Sequence, residues 1–276
     1  MPRPPGRAEL LRLLGEHGLR PSRALGQNFV ADPNIVERIA RLARVGRGDR
    51  VLEIGAGLGA LTVALAGTGA DVLAVEVDRR LVPLLRERLE PLGVRVVQAD
   101  ATTCDWASLL SSHAGWVLVA NLPYNVATPL VLDLLRRVPA VARMLVMVQR
   151  EVGERIAAGP GTAPYGAVSV RVAYFAEASL AGRVPASVFV PRPKVESVLV
   201  ELTRRREPPV DPALAGFDEI DKVVRAAFAT RRKMLRRALS GVVPEGAFER
   251  AGVEPTARAE ELSIEDFGRL AAASRG

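Results

Sequence analysis

The chain has 276 residues, 49% of them hydrophobic and 25% charged, which excludes a disordered or fibrous polymer and suffices for one large domain and a smaller one. No apolar run reaches the roughly 18 residues of a membrane-spanning helix, and the opening Met1-Pro2-Arg3-Pro4-Pro5-Gly6 has no signal-peptide core, so a cytoplasmic location is expected. A single cysteine, Cys104, and two histidines, His17 and His113, exclude a disulfide framework and offer no metal-ligand spacing, while the formal charge of +7 favours a polyanionic partner such as nucleic acid.

Leucines at 10, 11, 13 and 14 predict a short helix over 7–18, broken by Gly18-Leu19-Arg20-Pro21-Ser22. Asp32 then caps a second helix that begins at Pro33. From Arg50 to Gln149, short apolar runs alternate with helical stretches, the pattern of βαβ units around a parallel sheet. Strands are expected over 51–54, 72–77, 94–98, 116–120 and 144–149, with helices near 59–66, 79–90 and 128–137. Residues 165–180 fit helix or strand equally well, and 195–202 reads as a late strand. The charged and proline-rich stretch from Thr203 to Pro212 reads as a linker. Helices follow over 217–239, 245–251 and 264–273, the last capped by Ser263.

In a doubly wound sheet ligands bind at the carboxyl ends of the strands. Glu53-Ile54-Gly55-Ala56-Gly57-Leu58-Gly59 follows the first of these strands and opens a helix, so Gly55 and Gly57 are candidates for close backbone approach to a nucleotide. Glu76 ends the second strand, placed to accept hydrogen bonds from ribose hydroxyls, whereas Asp78 fits a helix cap. Asp100 follows the third strand, placed to accept a bond from an adenine amine.

The fourth strand ends in Asn121-Leu122-Pro123-Tyr124. Adenine N6 is a poor nucleophile because its lone pair is delocalised into the ring. The Asn121 side-chain oxygen and the Leu122 carbonyl can both accept N6 hydrogens and favour the pyramidal nitrogen. Pro123 stiffens the turn, and Tyr124 offers a face on which a flipped base can stack.

With these motifs in place the sequence closely resembles the ribosomal RNA adenine dimethyltransferases, on the small-subunit branch associated with kasugamycin sensitivity. The likeness also covers Gly26-Gln27-Asn28-Phe29, Gln149-Arg150-Glu151-Val152, Pro191-Arg192-Pro193-Lys194-Val195 and Arg231-Arg232-Lys233. It implies an α/β fold, with a Rossmann-like S-adenosylmethionine-dependent methyltransferase domain over 1–205 and a small all-α RNA-binding domain over 206–276. It further implies contact of Asn28, Val30, Gly55, Glu76, Asp100 and Asn121 with the methyl donor, and dimethylation of two adjacent adenosines in a hairpin loop near the 3′ end of 16S ribosomal RNA. The expected partner is the immature small subunit and the expected state a monomer. Phe189 resembles the aromatic that covers the other face of the target adenine. After Arg231-Arg232-Lys233 the chain departs from the family, with Arg237 near a usual asparagine.

Three other readings compete. A large-subunit (23S) enzyme conferring macrolide resistance shares fold and chemistry, but Gly26 and Leu122 favour the small-subunit group. A transcription-factor-like binding protein on the same scaffold would not need intact Glu76 and Asn121. A nicotinamide-dependent oxidoreductase leaves Asn121-Leu122-Pro123-Tyr124 unexplained. In the second domain Arg231, Arg232, Lys233, Arg236 and Arg237 are expected on one helix, as a phosphate-binding ridge above Phe228 and Leu235.

Overall fold

The computed structural model describes residues 3–110 and 113–275, so Met1 and Pro2 of the opening hexapeptide lie outside it. Helix α1 (Arg7–Glu16) leads through a loop to the two-residue strand β1 (Phe29–Val30) and helix α2 (Pro33–Leu42). Asp32 caps α2 by accepting the Asn34 N–H at 2.9 Å, as expected.

The alternating region then runs β2 (Arg50–Ile54), α3 (Ala60–Gly67), β3 (Asp71–Glu76), α4 (Val82–Leu89), β4 (Arg95–Gln98), α5 (Trp106–Leu110), β5 (Trp116–Asn121), α6 (Ala127–Arg137) and β6 (Val141–Gln149). The strand expectations hold to within about three residues at their ends. Helix α4 starts later than expected because residues 79–81 form a turn on Asp78, and Pro83 sits in the first helical turn, where a missing N–H costs nothing. Helix α7 (Arg150–Ile156) comes next. The ambiguous 165–180 stretch resolves into both candidates, helix α8 (Ala167–Phe175) and strand β7 (Ala176–Val184), followed by β8 (Phe189–Val190) and β9 (Ser197–Arg204).

One sheet has the order β4-β3-β2-β5-β6-β9-β7, parallel from β4 to β6 and antiparallel between β6 and β9. The chain leaves β2 towards β3 and β4, then returns to β5 on the other side. The carboxyl ends of β2 and β5 therefore flank a topological switch point, the place where such sheets open a crevice. A separate ribbon pairs β1 with β8, Phe29 opposite Val190 and Val30 opposite Phe189.

The remaining elements are α9 (Phe217–Ala229), α10 (Leu235–Ala238), α11 (Glu245–Ala251) and α12 (Ile264–Ala273). Ser263 and Asp266 form a reciprocal capping box at α12. The expected single helix over 217–239 is broken at residues 230–234. There Leu235 N–H bonds the Ala257 carbonyl at 2.9 Å, Arg236 N–H bonds that of Pro255 at 3.0 Å, and Met234 bridges Arg258. Tertiary backbone pairing thus overrides a continuous helical period.

The chain divides into two compact units, 1–153 with 179–203 and 154–178 with 204–276. The linear division at 205/206 therefore misses one excursion. Tyr165, Val170 and Tyr174 share a core with Ile220, Phe248, Phe267 and Leu270, and the Tyr165 hydroxyl donates to the Leu262 carbonyl at 2.7 Å. Among the described residues no helix is long and apolar enough to cross a membrane.

Candidate active site

At the switch point the glycine-rich turn is built on the end of β3. Gly55 N–H donates to the Val75 carbonyl at 2.8 Å. Gly57 has φ +60, and a Cβ there would stand 2.9 Å from the Phe29 ring, so no side chain fits between turn and ribbon. Its N–H donates to Glu76 Oε2 at 2.8 Å, while Glu76 Oε1 accepts the Asp78 N–H at 2.8 Å. Burial raises the Glu76 carboxyl above the ordinary range, against the pull of these backbone donors. Glu76 thus shapes the turn itself, a task the sequence reading did not give it. Each of its oxygens keeps a second lone pair.

Asp78 does not cap α4, which starts at Val82; it closes the turn before the helix instead, with Arg80 N–H on Oδ1 at 3.1 Å and the Arg80 guanidinium on both its oxygens. Asp100 is exposed on the rim, where Thr102 donates twice to Oδ1 and holds the carboxyl below its usual range.

A cavity of about 260 Å³ is lined by Gly55, Val75, Val77, Asp100 and Pro123 among others. A smaller one, of about 60 Å³, shares Leu25, Gly55, Val77 and Pro123 with it and reaches Asn28, Gly57, Glu76, Asn121, Leu122 and Tyr124. The loop before β1 is fitted to this tetrapeptide. Gly26 has φ +62, and a Cβ there would come 3.0 Å from Asn125 Oδ1 and 3.2 Å from Pro123 Cβ. The side chain of Asn121 donates from Nδ2 to the Asn28 carbonyl at 2.8 Å. A carbonyl cannot donate, so this contact fixes which amide atom faces it and leaves Oδ1 as the acceptor. The Tyr124 hydroxyl is hydrogen-bonded to Ser197 Oγ at 2.7 Å, and burial raises its pKa.

Thus Asn28, Gly55, Gly57, Glu76, Asn121, Leu122, Pro123 and Tyr124 gather around one pair of cavities, with Asp100 at the rim. Val30 and Phe189 do not line them. They pair with each other in the ribbon, and Phe189 is fully buried in the core, its carbonyl accepting Arg7 at 3.2 Å. The stacking part expected of Phe189 is therefore corrected to a core part: its ring has no exposed face.

Glu53, at the head of the glycine motif, does not line either cavity. It is 1% exposed, its Oε2 has no hydrogen-bond partner, and burial pushes its carboxyl up to about 8. In the second unit Arg232, Lys233, Arg236 and Arg237 are exposed, but Arg231 donates to Glu260 at 2.7 Å and to the Ala163 carbonyl at 2.9 Å. The expected row of Arg232 above Arg236 on one helix does not form, because the chain turns between them. Phe228 lies on α9 and Leu235 on α10.

Sheet order, glycine turn and strand-end acidic residues, joined by Asn121-Leu122-Pro123-Tyr124 at the end of β5 and by the family match, identify an S-adenosylmethionine-dependent methyltransferase of the Rossmann-like class. The chain belongs to the ribosomal RNA adenine dimethylase family, whose profile matches residues 19–274. It is 46% identical to the ribosomal RNA small subunit methyltransferase A of Thermobifida fusca, over 96% of this chain and 94% of that one. Identity to the protein of the same name from Cutibacterium acnes is 44%, over 95% and 92%. Among solved structures, a dimethyladenosine transferase from Plasmodium falciparum superposes with a TM-score of 0.73 at 27% identity, over 87% of this chain and 94% of that one. The 23S rRNA methyltransferase ErmE gives 0.70 at 26%, over 90% and 100%.

Proposed function

We propose that this enzyme dimethylates N6 of two adjacent adenosines in the 3′-terminal hairpin loop of 16S ribosomal RNA, during small-subunit biogenesis, as a cytoplasmic monomer acting on immature small subunits. The names of relatives sharing 41–46% identity support small-subunit RNA over its large-subunit counterpart. The observation that carries the chemistry is the anchored amide of Asn121, whose Nδ2 is held on the Asn28 carbonyl so that its Oδ1 is left as an acceptor.

The residues present fit the donor. The bare backbone at Gly55 and Gly57 admits close approach, Glu76 has lone pairs for the ribose hydroxyls, and Asp100 stands at the rim for the adenine amine. When bound, S-adenosylmethionine supplies an electrophilic methyl group. In the first transfer Asn121 Oδ1 and the Leu122 carbonyl would accept the two N6 hydrogens, which draws the nitrogen lone pair out of the ring system and aims it. In the second, the one hydrogen left on the monomethylated amine would take one of these acceptors, and each transfer ends with loss of a proton from the acidified nitrogen to solvent. Tyr124, tethered to Ser197, presents a ring on which the extruded base stacks. Arg232, Lys233, Arg236 and Arg237 serve as phosphate contacts that position the RNA without reading it.

The test is incubation with radiolabelled methyl donor and separated ribosomal particles, followed by mapping of the labelled nucleotides. Label on two neighbouring small-subunit adenosines is expected. Label on large-subunit adenosines, or none on RNA, overturns the assignment.

A further inference from the structure

The loop between α1 and β1 carries a side chain that the chemistry above does not use. Both ends of the half-buried Gln27 amide are engaged. Its Oε1 accepts the Ser22 N–H at 2.7 Å, and its Nε2 donates to Asp78 Oδ2 at 2.9 Å. Its own backbone N–H closes on the Ser22 carbonyl at 3.1 Å. Asp78 is a firm anchor. It is 5% exposed, and Arg80 Nε and Nη2 reach its two oxygens at 2.9 and 2.7 Å. The Arg80 guanidinium holds that carboxyl down at about 2, so Asp78 is an acceptor only at working pH. Ser22 N–H is a donor only. The Gln27 amide therefore has one orientation that satisfies both.

One residue further, the Asn28 carbonyl accepts Nδ2 of Asn121 at 2.8 Å, and the Asn28 side chain folds back to donate to the Gly26 carbonyl at 3.1 Å. The peptide segment that orients Asn121 is thus tied to the end of β3 through Gln27. We propose that Gln27 is a positioning residue for the methyl transfer: clamped between Ser22 and Asp78, it sets where the Asn28 carbonyl stands and so where Asn121 Oδ1 points. This rests on the reading of Asn121 as the N6 acceptor. Displacing a reacting group by about 1 Å can cost around 100-fold in rate. Glu76 takes its donors from the backbone of Gly57 and Asp78, and loss of the Gln27 side chain removes neither.

The test compares Gln27→Ala, Gln27→Glu and Asn121→Ala with the parent. Donor affinity is read by calorimetry, exchange of the Ser22 backbone amide by NMR, and kcat at saturating donor and small-subunit particles. Gln27→Ala is expected to lower kcat by about 10- to 100-fold with donor Kd changed by less than about threefold, and to speed Ser22 amide exchange. Gln27→Glu is expected to match it, because a carboxylate keeps an acceptor for the Ser22 N–H but faces Asp78 without a donor.

A normal kcat in Gln27→Ala or Gln27→Glu, or a loss confined to donor Kd, overturns the proposal. An active Asn121→Ala variant removes the N6 reading itself. An inactive one beside normal Gln27 variants removes the clamp alone.

Discussion

Asn121 keeps its Oδ1 turned away from the Asn28 carbonyl as an acceptor, because its Nδ2 stands 2.8 Å from that carbonyl, which cannot donate. Asn121→Ala is accordingly expected to lower kcat by about 100- to 1000-fold while the fold is retained. Asn121→Asp, although isosteric, should do no better: one of its oxygens would face the Asn28 carbonyl with no hydrogen to share. Near-parental turnover of either purified variant would sink the assignment. Glu53 poses a different question at the same scale. Its carboxyl is buried and pushed up to about 8, well above the ordinary value that it has in the unfolded chain. Between those two values the folded state holds a proton that the unfolded state has lost, so the parent loses stability as pH rises through that window. Glu53→Gln mimics the protonated form and removes this slope. Melting temperatures measured from about pH 5 to pH 8.5 should therefore fall for the parent and stay flatter for the variant. Parallel curves would contradict a buried neutral carboxyl.

At the scale of elements, the glycine turn and the β1–β8 ribbon constrain each other through Gly57 and Phe29. Gly57→Ala imposes a left-handed conformation on alanine, a strain of about 1 to 3 kcal/mol, and drives its Cβ into the Phe29 ring. It should lower the denaturant midpoint and weaken donor binding at least about tenfold, because the Gly57 N–H to Glu76 moves with the turn. An unchanged donor Kd would show that the turn is not part of the donor site. The strands of the parallel sheet were legible because each is a short apolar run bounded by turn residues, and Asp32 and Ser263 were legible as caps because capping is a local hydrogen bond. The ribbon was not. Two residues per strand carry no period, and the pairing of Phe29 with Val190 joins positions 161 apart. The break at Thr230 was hidden for the same reason, since the partners of Leu235 and Arg236 lie at Ala257 and Pro255. In the site, the strand-end residues followed from topology. The second task of Glu76 and the clamp at Gln27 depend on backbone atoms that no side-chain pattern encodes.

Over the whole molecule, the charge of +7 is not concentrated where the basic segment suggested. The unit of 154–178 and 204–276 carries sixteen basic and fourteen acidic side chains, against twenty-two and seventeen in the other. Arg231 is also withdrawn from any phosphate by Glu260. The other four cations of the segment are exposed and outside ion pairs, and so are Arg20, Arg23, Arg192 and Lys194 on the loops before β1 and after β8. Each phosphate neutralised by the protein contributes about 0.7 to 0.9 to the slope of log affinity against log salt. Replacing Arg232, Lys233, Arg236 and Arg237 together by alanine should therefore flatten the slope by about 3 units and leave a residual slope, because the first unit keeps its own cations. Arg231→Ala, the control, should lower thermal stability and leave the slope unchanged. The measurement is RNA affinity between about 50 and 200 mM salt for parent and both variants, with calorimetry on the methyl donor, whose Kd should not move. Superimposable slopes for parent and the fourfold variant would reduce the segment to a solvated surface. A residual slope of zero would show that the first unit, despite its larger excess of positive charge, leaves the phosphates to the second.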